Sequence, residues 1–472
     1  MPTPTAPDQS FPDFPADFKG TVLRPGDAGY DGARAIRNAR AADAGPALIA
    51  QCADEDDVAT VLWFAAEKSI AVAVRGGGNG ADGQAMPGGA LIVDLSALRK
   101  VTVDPETRIV RAQGGALLAD LDQATQEYGL VVPAGSNSTI GVGGLTLGGG
   151  LGSLMRRFGA TVDNLLACEL VTADGRRVRA DKDTNADLFW ALRGGGGNFG
   201  VVTAFEFQAH QVGPDVVSGM LVYSLDQAAD VLTALDDTMA SAPRELGLTV
   251  AITPAPPLPM LPPEAHGHPV LLLLPVYSGD PADGEKAIAP LAALGSPLAN
   301  LVGTSPWLRT NSMSDAAAPA GLRSVSRGGY LSALGGEAVS ALLGQVAAAP
   351  RYQRGGTAIT LMCLGGAISE DFAEDATAFS REGAAWAWEA SALWDVAEQD
   401  GTYDEWAAQT WEALSPHTRS NGYINFTSDL GDEWRQGVWG NTVKFDRLQQ
   451  VKAAWDPHNL LRHNANITPS AE

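Results

Sequence analysis

Three glycine-rich runs limit what this chain can fold into. They are Val74-Arg75-Gly76-Gly77-Gly78-Asn79-Gly80, the stretch from Gly135 to Gly150, and Arg193-Gly194-Gly195-Gly196-Gly197-Asn198-Phe199-Gly200. Without Cβ atoms, backbone N–H groups can crowd against a phosphate or a flat ring. Glycine also costs backbone entropy on folding, so three long runs need a purpose beyond tight turns. Together they point to a large anionic cofactor. Asn79 in the first run and Asn137 in the second stand where a reactive side chain could sit. An amide is a poor nucleophile, so neither favours a covalent bond to that cofactor.

Gly78-Asn79-Gly80-Ala81-Asp82-Gly83 satisfies G-x-G-x-x-G, but Met86-Pro87-Gly88-Gly89 follows where a dinucleotide-binding helix would have to start. The pattern therefore excludes a Rossmann site, and the runs lack the P-loop lysine. A net charge of −23 argues against a nucleic-acid surface and suits a solvated exterior. Cys52, Cys168 and Cys363 are too few and too scattered for a disulfide framework or a zinc site. Met1–Gly20 shows no secretory pattern, and the most apolar run, Val270–Leu274, is too short to span a bilayer. The expectation is a cytoplasmic protein with no membrane or nucleic-acid partner and no metal site.

Residues 1–20 read as an irregular lead-in. From Pro46 to Gln208 short strands alternate with helices: strands at Ala47–Ala50, Ile70–Val74, Ala90–Asp94 and Val101–Val110, helices at Asp56–Lys68 and Leu117–Tyr128. Leu165–Thr172 and Arg177–Ala180 flank the turn Ala173–Arg176, a hairpin signal. The texture changes near Val212–Asp215. Strands at Val217–Tyr223 and Thr357–Leu364, a stiff Pro-rich loop at Pro254–Pro263, and Ala-rich helices at Gly336–Ala348 and Glu370–Trp388 suggest an α+β second domain.

His266 and His268 could share a strand face and hold a metal, but no third ligand accompanies them, so loop histidines are the simpler reading. Eight of the eleven tryptophans follow residue 380, mostly as core with a few able to line an aromatic-friendly pocket. In Asn421-Gly422-Tyr423-Ile424-Asn425-Phe426, alternation on a strand puts Tyr423 and Asn425 on one side, bordering a cavity.

These residues resemble the berberine-bridge-enzyme-like FAD-linked oxidases of the vanillyl-alcohol-oxidase (PCMH-type) superfamily. The resemblance runs from Phe18 to Ile467. It is most specific at Val74–Gly80, Gly141–Gly152, Asp187–Thr203, Tyr423–Asp429 and Trp439–Leu460. It implies an α+β chain with a PCMH-type FAD-binding domain (residues 1–212), an inserted α+β substrate domain with an antiparallel sheet covered by helices (213–420), and a C-terminal segment (421–472) returning to the first domain. It implies that Arg75, Gly76, Gly77, Gly78, Asn79 and Gly80 wrap the FAD pyrophosphate. Asn137, Ile140, Gly141, Gly143 and Gly144 would lie against the flavin, with Asn425 beside it. Asn198, Gly200 and Val202 would support the adenine half, and Tyr423 would be the catalytic base over the ring. The implied chemistry is hydride transfer from a small alcohol, sugar or secondary metabolite.

Family members usually carry histidine at the position of Asn79, and doubly linked ones cysteine near Asn137. This chain has no histidine before His210, so non-covalent FAD is expected. Two alternatives stand beside this reading. One is a non-redox cyclase, isomerase or ligand-binding protein on the same scaffold. The other is a replaced attachment residue at Asn79 in a normally linked enzyme. Members also often show a His-Arg pair where this chain has Arg381-Glu382.

Overall fold

A computed structural model describes residues 14–43, 45–257, 259–317, 319–350 and 356–470. Most of the expected lead-in, residues 1–13, and Leu258 of the Pro-rich segment lie outside the described residues.

Two small sheets carry the first and third glycine runs. The first has four strands in the order Thr21–Leu23, Leu48–Gln51, Leu91–Asp94, Val72–Arg75, and its last three are parallel. Asp54 starts the crossover helix Glu55–Lys68 by accepting from the Asp56 and Asp57 amides, satisfying orphan donors of its first turn. Val58, Val61, Leu62 and Ala65 then fall at helical spacing onto the sheet. The second sheet has five antiparallel strands in the order Val101–Asp104, Ile109–Gln113, Val201–Gln208, Leu165–Val171, Arg177–Asp181. Its last pair is the expected hairpin.

The third sheet has nine strands drawn from residues 215–394. Its path runs Ala299–Asn300, Leu221–Ser224, Pro269–Tyr277, Leu246–Pro254, Gly356–Cys363, Trp386–Trp394, Arg323–Leu331. Alternation divides its faces. Leu248, Val250, Leu271, Leu273, Ile359, Leu361, Trp386 and Trp388 share a core with helices Ala228–Ala240, Gly336–Ala348 and Asp400–Leu414. The opposite face sends Tyr330, Met362 and Ala387 into a separate cluster with Leu151, Met155, Phe379 and Tyr423. The C-terminal helix Thr442–Trp455 returns Leu448 and Val451 to the core that holds Phe205 and Phe207.

Several sequence expectations are corrected. Val101–Val110 is two strands, because Asp104 accepts from the Glu106 and Thr107 amides (3.0 and 3.3 Å) and turns the chain at Pro105–Arg108. Val217–Tyr223 is likewise broken, at Gly219, into Asp215–Ser218 and Leu221–Ser224. The strand Leu246–Pro254 takes in only the first residue of the loop expected at Pro254–Pro263. Glu370–Trp388 is not a helix. A short helix, Ala367–Glu370, ends early, Gly383 turns at φ 67°, and the strand Trp386–Trp394 follows. Trp386, Trp388 and Trp394 share one face of that strand and bury it, which overrides alanine's helix propensity. Tyr423 and Asn425 sit in a turn, not on a strand, closed by the Phe426 amide on the Tyr423 carbonyl at 3.0 Å.

Candidate active site

The strand Val72–Arg75 delivers the first glycine run. Arg75 turns inward, with Nη1 donating to the Ala33 carbonyl (2.8 Å) and to the fully buried Asp94 carboxylate (3.3 Å). Its guanidinium therefore anchors the loop from behind. Gly78 adopts φ 66°, which glycine accepts readily. Gly77 packs so closely on Gly141 that a Cβ on either would fall on the other's backbone nitrogen. Asn79 Nδ2 donates to the Thr139 carbonyl at 2.6 Å. The first two runs thus form one backbone surface.

Within the second run, Asn137 Oδ1 accepts from the Thr139 amide (3.0 Å) and hydroxyl (2.7 Å), closing the bend before Ile140. Ile140 and Gly141 are held by Leu118 and Ala116, whose N–H and carbonyl pair with the Ile140 carbonyl (2.9 Å) and Val142 amide (2.8 Å). Gly143 lies on the Gly114 carbonyl, in a helix, Val142–Leu147, that presents Gly144 to open space. From the far side Asn311 donates to the Gly135 carbonyl (3.1 Å), and Asp315 accepts from the Ser138 amide (2.9 Å). Asn311 and Trp307 also donate to buried Asp122, at 2.7 and 3.1 Å. Burial pushes that carboxyl up to about 6, against the lowering effect of its two donors.

The third run joins the second through the Gly194 and Gly196 amides, which both donate to the Leu147 carbonyl (3.1 and 2.9 Å). Asn198 is spent inside the protein. Nδ2 donates to the Gly195 and Ala465 carbonyls (2.8 and 3.1 Å), and Oδ1 accepts from the Ile467 amide (3.0 Å). The buried Lys452 ammonium adds bonds to the Asn198 carbonyl (2.8 Å), Asp456 (2.6 Å) and the Leu461 carbonyl (3.0 Å). Gly200 makes room for Leu170 and Val171, and Val202 is buried in the core beyond it.

Tyr423 is 1% exposed. Its hydroxyl oxygen accepts from Asn425 Nδ2 (3.0 Å) and the Leu151 amide (3.4 Å), while Asn425 also reaches the Gly144 and Leu145 carbonyls (both 3.3 Å). The C-terminal turn is thereby fastened to the second run. Burial raises the Tyr423 phenol above its ordinary 10, and hydrogen bonding from Asn425 and from the Leu151 and Gly150 backbone opposes that rise. Phe379 and Phe426 stand edge-on to its ring at 5.9 and 4.8 Å.

The structure adds residues that sequence reasoning missed. Tyr330, fully buried beside Tyr423, has a hydroxyl with no hydrogen-bond partner among the described residues. Glu389 interacts electrostatically with Tyr423, and burial raises its carboxyl. Glu389 itself is half-buried. The signal for Glu389 was the alternation Trp386-Ala387-Trp388-Glu389, which puts it opposite the tryptophans. Arg381 pairs in bidentate fashion with Asp163 (2.6 and 2.8 Å), both buried, so it is an internal ion pair. Among the described residues no His/Cys/Asp/Glu group could hold a metal, and no helix is long and apolar enough to cross a membrane.

The site suits FAD. Three glycine-rich runs converge, and a Cβ at Gly80, Gly144 or Gly197 would face open space rather than protein. The FAD binding domain family matches residues 46–181, and the family described as berberine and berberine like matches residues 422–468. An FAD-linked oxidoreductase of Dictyostelium discoideum is 30% identical over 90% of this chain and 89% of its own length. The aclacinomycin-N/aclacinomycin-A oxidase of Streptomyces galilaeus is 30% identical over 84% of this chain and 80% of its own length. The crystal structure of 6-hydroxy-D-nicotine oxidase from Arthrobacter nicotinovorans superposes with a TM-score of 0.85 at 27% identity, covering 97% of this chain and 99% of that one. The fold and site define an FAD-binding protein of PCMH type. The chain belongs to the berberine-bridge-enzyme-like family and is an FAD-dependent oxidoreductase. The non-redox alternative is not supported by these relatives.

Proposed function

We propose that the protein holds FAD without a covalent bond and oxidises a C–H bond beside an O–H or N–H group, with Tyr423 receiving the O–H or N–H proton. The observation that carries this reading is the Tyr423 hydroxyl, fixed by Asn425 and Leu151 against the second glycine run. Bound FAD supplies a hydride acceptor. The backbone of Gly76–Gly80 and Gly141–Gly144 holds it, and Asn79 and Asn137, both engaged in amide hydrogen bonds, leave no nucleophile for attachment. Asn198, Gly200 and Val202 act through the backbone they hold in place. The chain divides at about residues 212 and 420, with the nine-stranded sheet as the substrate domain.

Tyr423 rests as the phenol near neutral pH, and burial moves its ionisation further up. Base catalysis requires loss of that proton to solvent before the hydride leaves, and the hydrogen bonds donated to its oxygen lower the cost of the loss. The substrate class is a small alcohol, sugar or nitrogen-containing secondary metabolite. This rests on the half-open sheet face of Thr249, Ala251, Thr360 and Ser391, which mixes hydroxyl and methyl groups. The names of the nicotine and aclacinomycin oxidases fit that class. An anaerobic screen of such compounds against the purified holoprotein tests it: bleaching of the flavin absorbance by one class identifies the donor. No bleaching by any of them would overturn the substrate assignment.

A further inference from the structure

Ser326 Oγ lies 2.6 Å from Glu389 Oε1 and 2.6 Å from the Phe426 carbonyl oxygen. A hydroxyl has one proton, and a carbonyl has none to give. If Ser326 donates to Glu389, it faces the Phe426 carbonyl with no proton between the two oxygens. Both contacts are hydrogen bonds only if Glu389 carries a proton, donates it to Ser326 Oγ, and Ser326 donates to Phe426.

The Phe426 carbonyl belongs to the turn that carries Tyr423 and Asn425, closed by the Phe426 amide on the Tyr423 carbonyl at 3.0 Å. Ser326 and Glu389 come from neighbouring strands of the substrate sheet, whose register pairs Ser326 with Ser391 and Gly328 with Glu389. We propose that Glu389 is a positioning residue that rests as the neutral acid and, through Ser326, fixes the turn bearing Tyr423. The proposal rests on the reading of Tyr423 as the proton acceptor.

The surroundings of Glu389 agree. Across the sheet it faces Gly328 and Thr360, which bring no charge. A hydroxyl donated by Ser326 and the charge of Arg37 in the N-terminal segment would both favour its ionisation, but burial outweighs them. Arg327, next to Ser326, interacts with Asp82, Asp404 and Arg40 instead. From the C-terminal turn Tyr423 is the facing titratable group, and a carboxylate at Glu389 would oppose its ionisation. A neutral Glu389 removes that repulsion when Tyr423 must become a phenolate.

Infrared spectra of the holoprotein near neutral pH test the proton directly. The carbonyl stretch of a protonated carboxyl is expected in the wild type, absent in Glu389→Gln, and shifted in Ser326→Ala, where the acid loses its acceptor. Turnover with the donor identified by the flavin-bleaching screen gives a second readout. Glu389→Leu should lower kcat about 10- to 100-fold through misplacement of the turn. Glu389→Gln, whose amide N–H can still donate to Ser326, should recover most of that loss. A spectrum without the protonated band, or Glu389→Gln as slow as Glu389→Leu, overturns the proposal. Failure of the Tyr423 reading shows separately, as unchanged turnover in Tyr423→Phe with the infrared band intact.

Discussion

The side-chain amide of Asn79 reaches across to the carbonyl of Thr139 at 2.6 Å, so the first glycine run is tied to the second by a hydrogen bond within the protein. An imidazole at this position could attack a flavin methyl group; a carboxamide donating to a carbonyl cannot. Acid precipitation of the holoprotein should therefore leave yellow FAD in the supernatant over a colourless pellet. A flavinylated peptide found by mass spectrometry would sink the non-covalent reading.

Removing the Tyr423 hydroxyl separates catalysis from packing. Its ring is held edge-on between Phe379 and Phe426, so Tyr423→Phe keeps the packing. Flavin reduction should slow by about 10²–10⁴-fold, the range for loss of a general base, with full flavin content. Because burial raises this phenol, the active phenolate form grows with pH throughout the neutral and mildly alkaline range. The wild-type reduction rate should rise with pH there, and a flat profile would assign the proton to another acceptor.

Two glycines distinguish folding from cofactor contact. At Gly78 a side chain meets Ile36 Cγ2 at 2.9 Å and is held at φ 66°, so Gly78→Val destabilises even the apoprotein by at least about 1–2 kcal/mol. At Gly144 the space is open in the protein. Gly144→Val should fold with nearly normal apoprotein stability and lose flavin. Equal flavin content in Gly144→Val and wild type, by absorbance ratio, would move the ring elsewhere.

Such contrasts also show what was legible in the sequence. Glycine runs advertise themselves locally, so the three loops, the hairpin at Ala173–Arg176 and the helix Glu55–Lys68 could be read directly. The strand Trp386–Trp394 could not be read from its alanine content, because its tryptophans bury a face that exists only once the sheet has formed. Asp163–Arg381 and Ser326–Glu389 are contacts between residues 218 and 63 positions apart, and no local pattern reports such pairs. Asn198 looked like a ligand contact. The structure spends its amide on Ala465 and Ile467, residues that sequence spacing could not bring to it.

Asp122 gives the fold a pH dependence of known sign. Burial raises its carboxyl from 3.8 to about 6, so in that interval the folded protein binds more protons than the unfolded chain. The stability this contributes is complete below the unfolded value and is lost as pH rises through the folded one. The loss is on the order of 2–3 kcal/mol. Denaturant melts across this range should show wild-type stability falling relative to Asp122→Asn by that order. Parallel curves for the two proteins would mean that Asp122 titrates normally.

Ile140 carries the last prediction, which concerns oxygen. Its carbonyl is pinned by the Leu118 amide at 2.9 Å, and its half-buried side chain packs beside the core formed by Val142 and Leu145. On the flavin placement proposed above, this β-branched side chain stands at the ring edge with few rotamers available to clear the space. Flavin without covalent links is also expected to have a lower potential than a doubly linked one. Reduced protein should therefore reoxidise slowly in air and turn over faster with an artificial acceptor dye. Ile140→Ala should open the space and speed reoxidation, by about tenfold for each 1.4 kcal/mol of barrier removed. Stopped-flow mixing of the reduced protein with oxygenated buffer reads both rates. Fast reoxidation in the wild type, unchanged in Ile140→Ala, would show that this side chain does not gate oxygen and that the protein works as an ordinary oxidase.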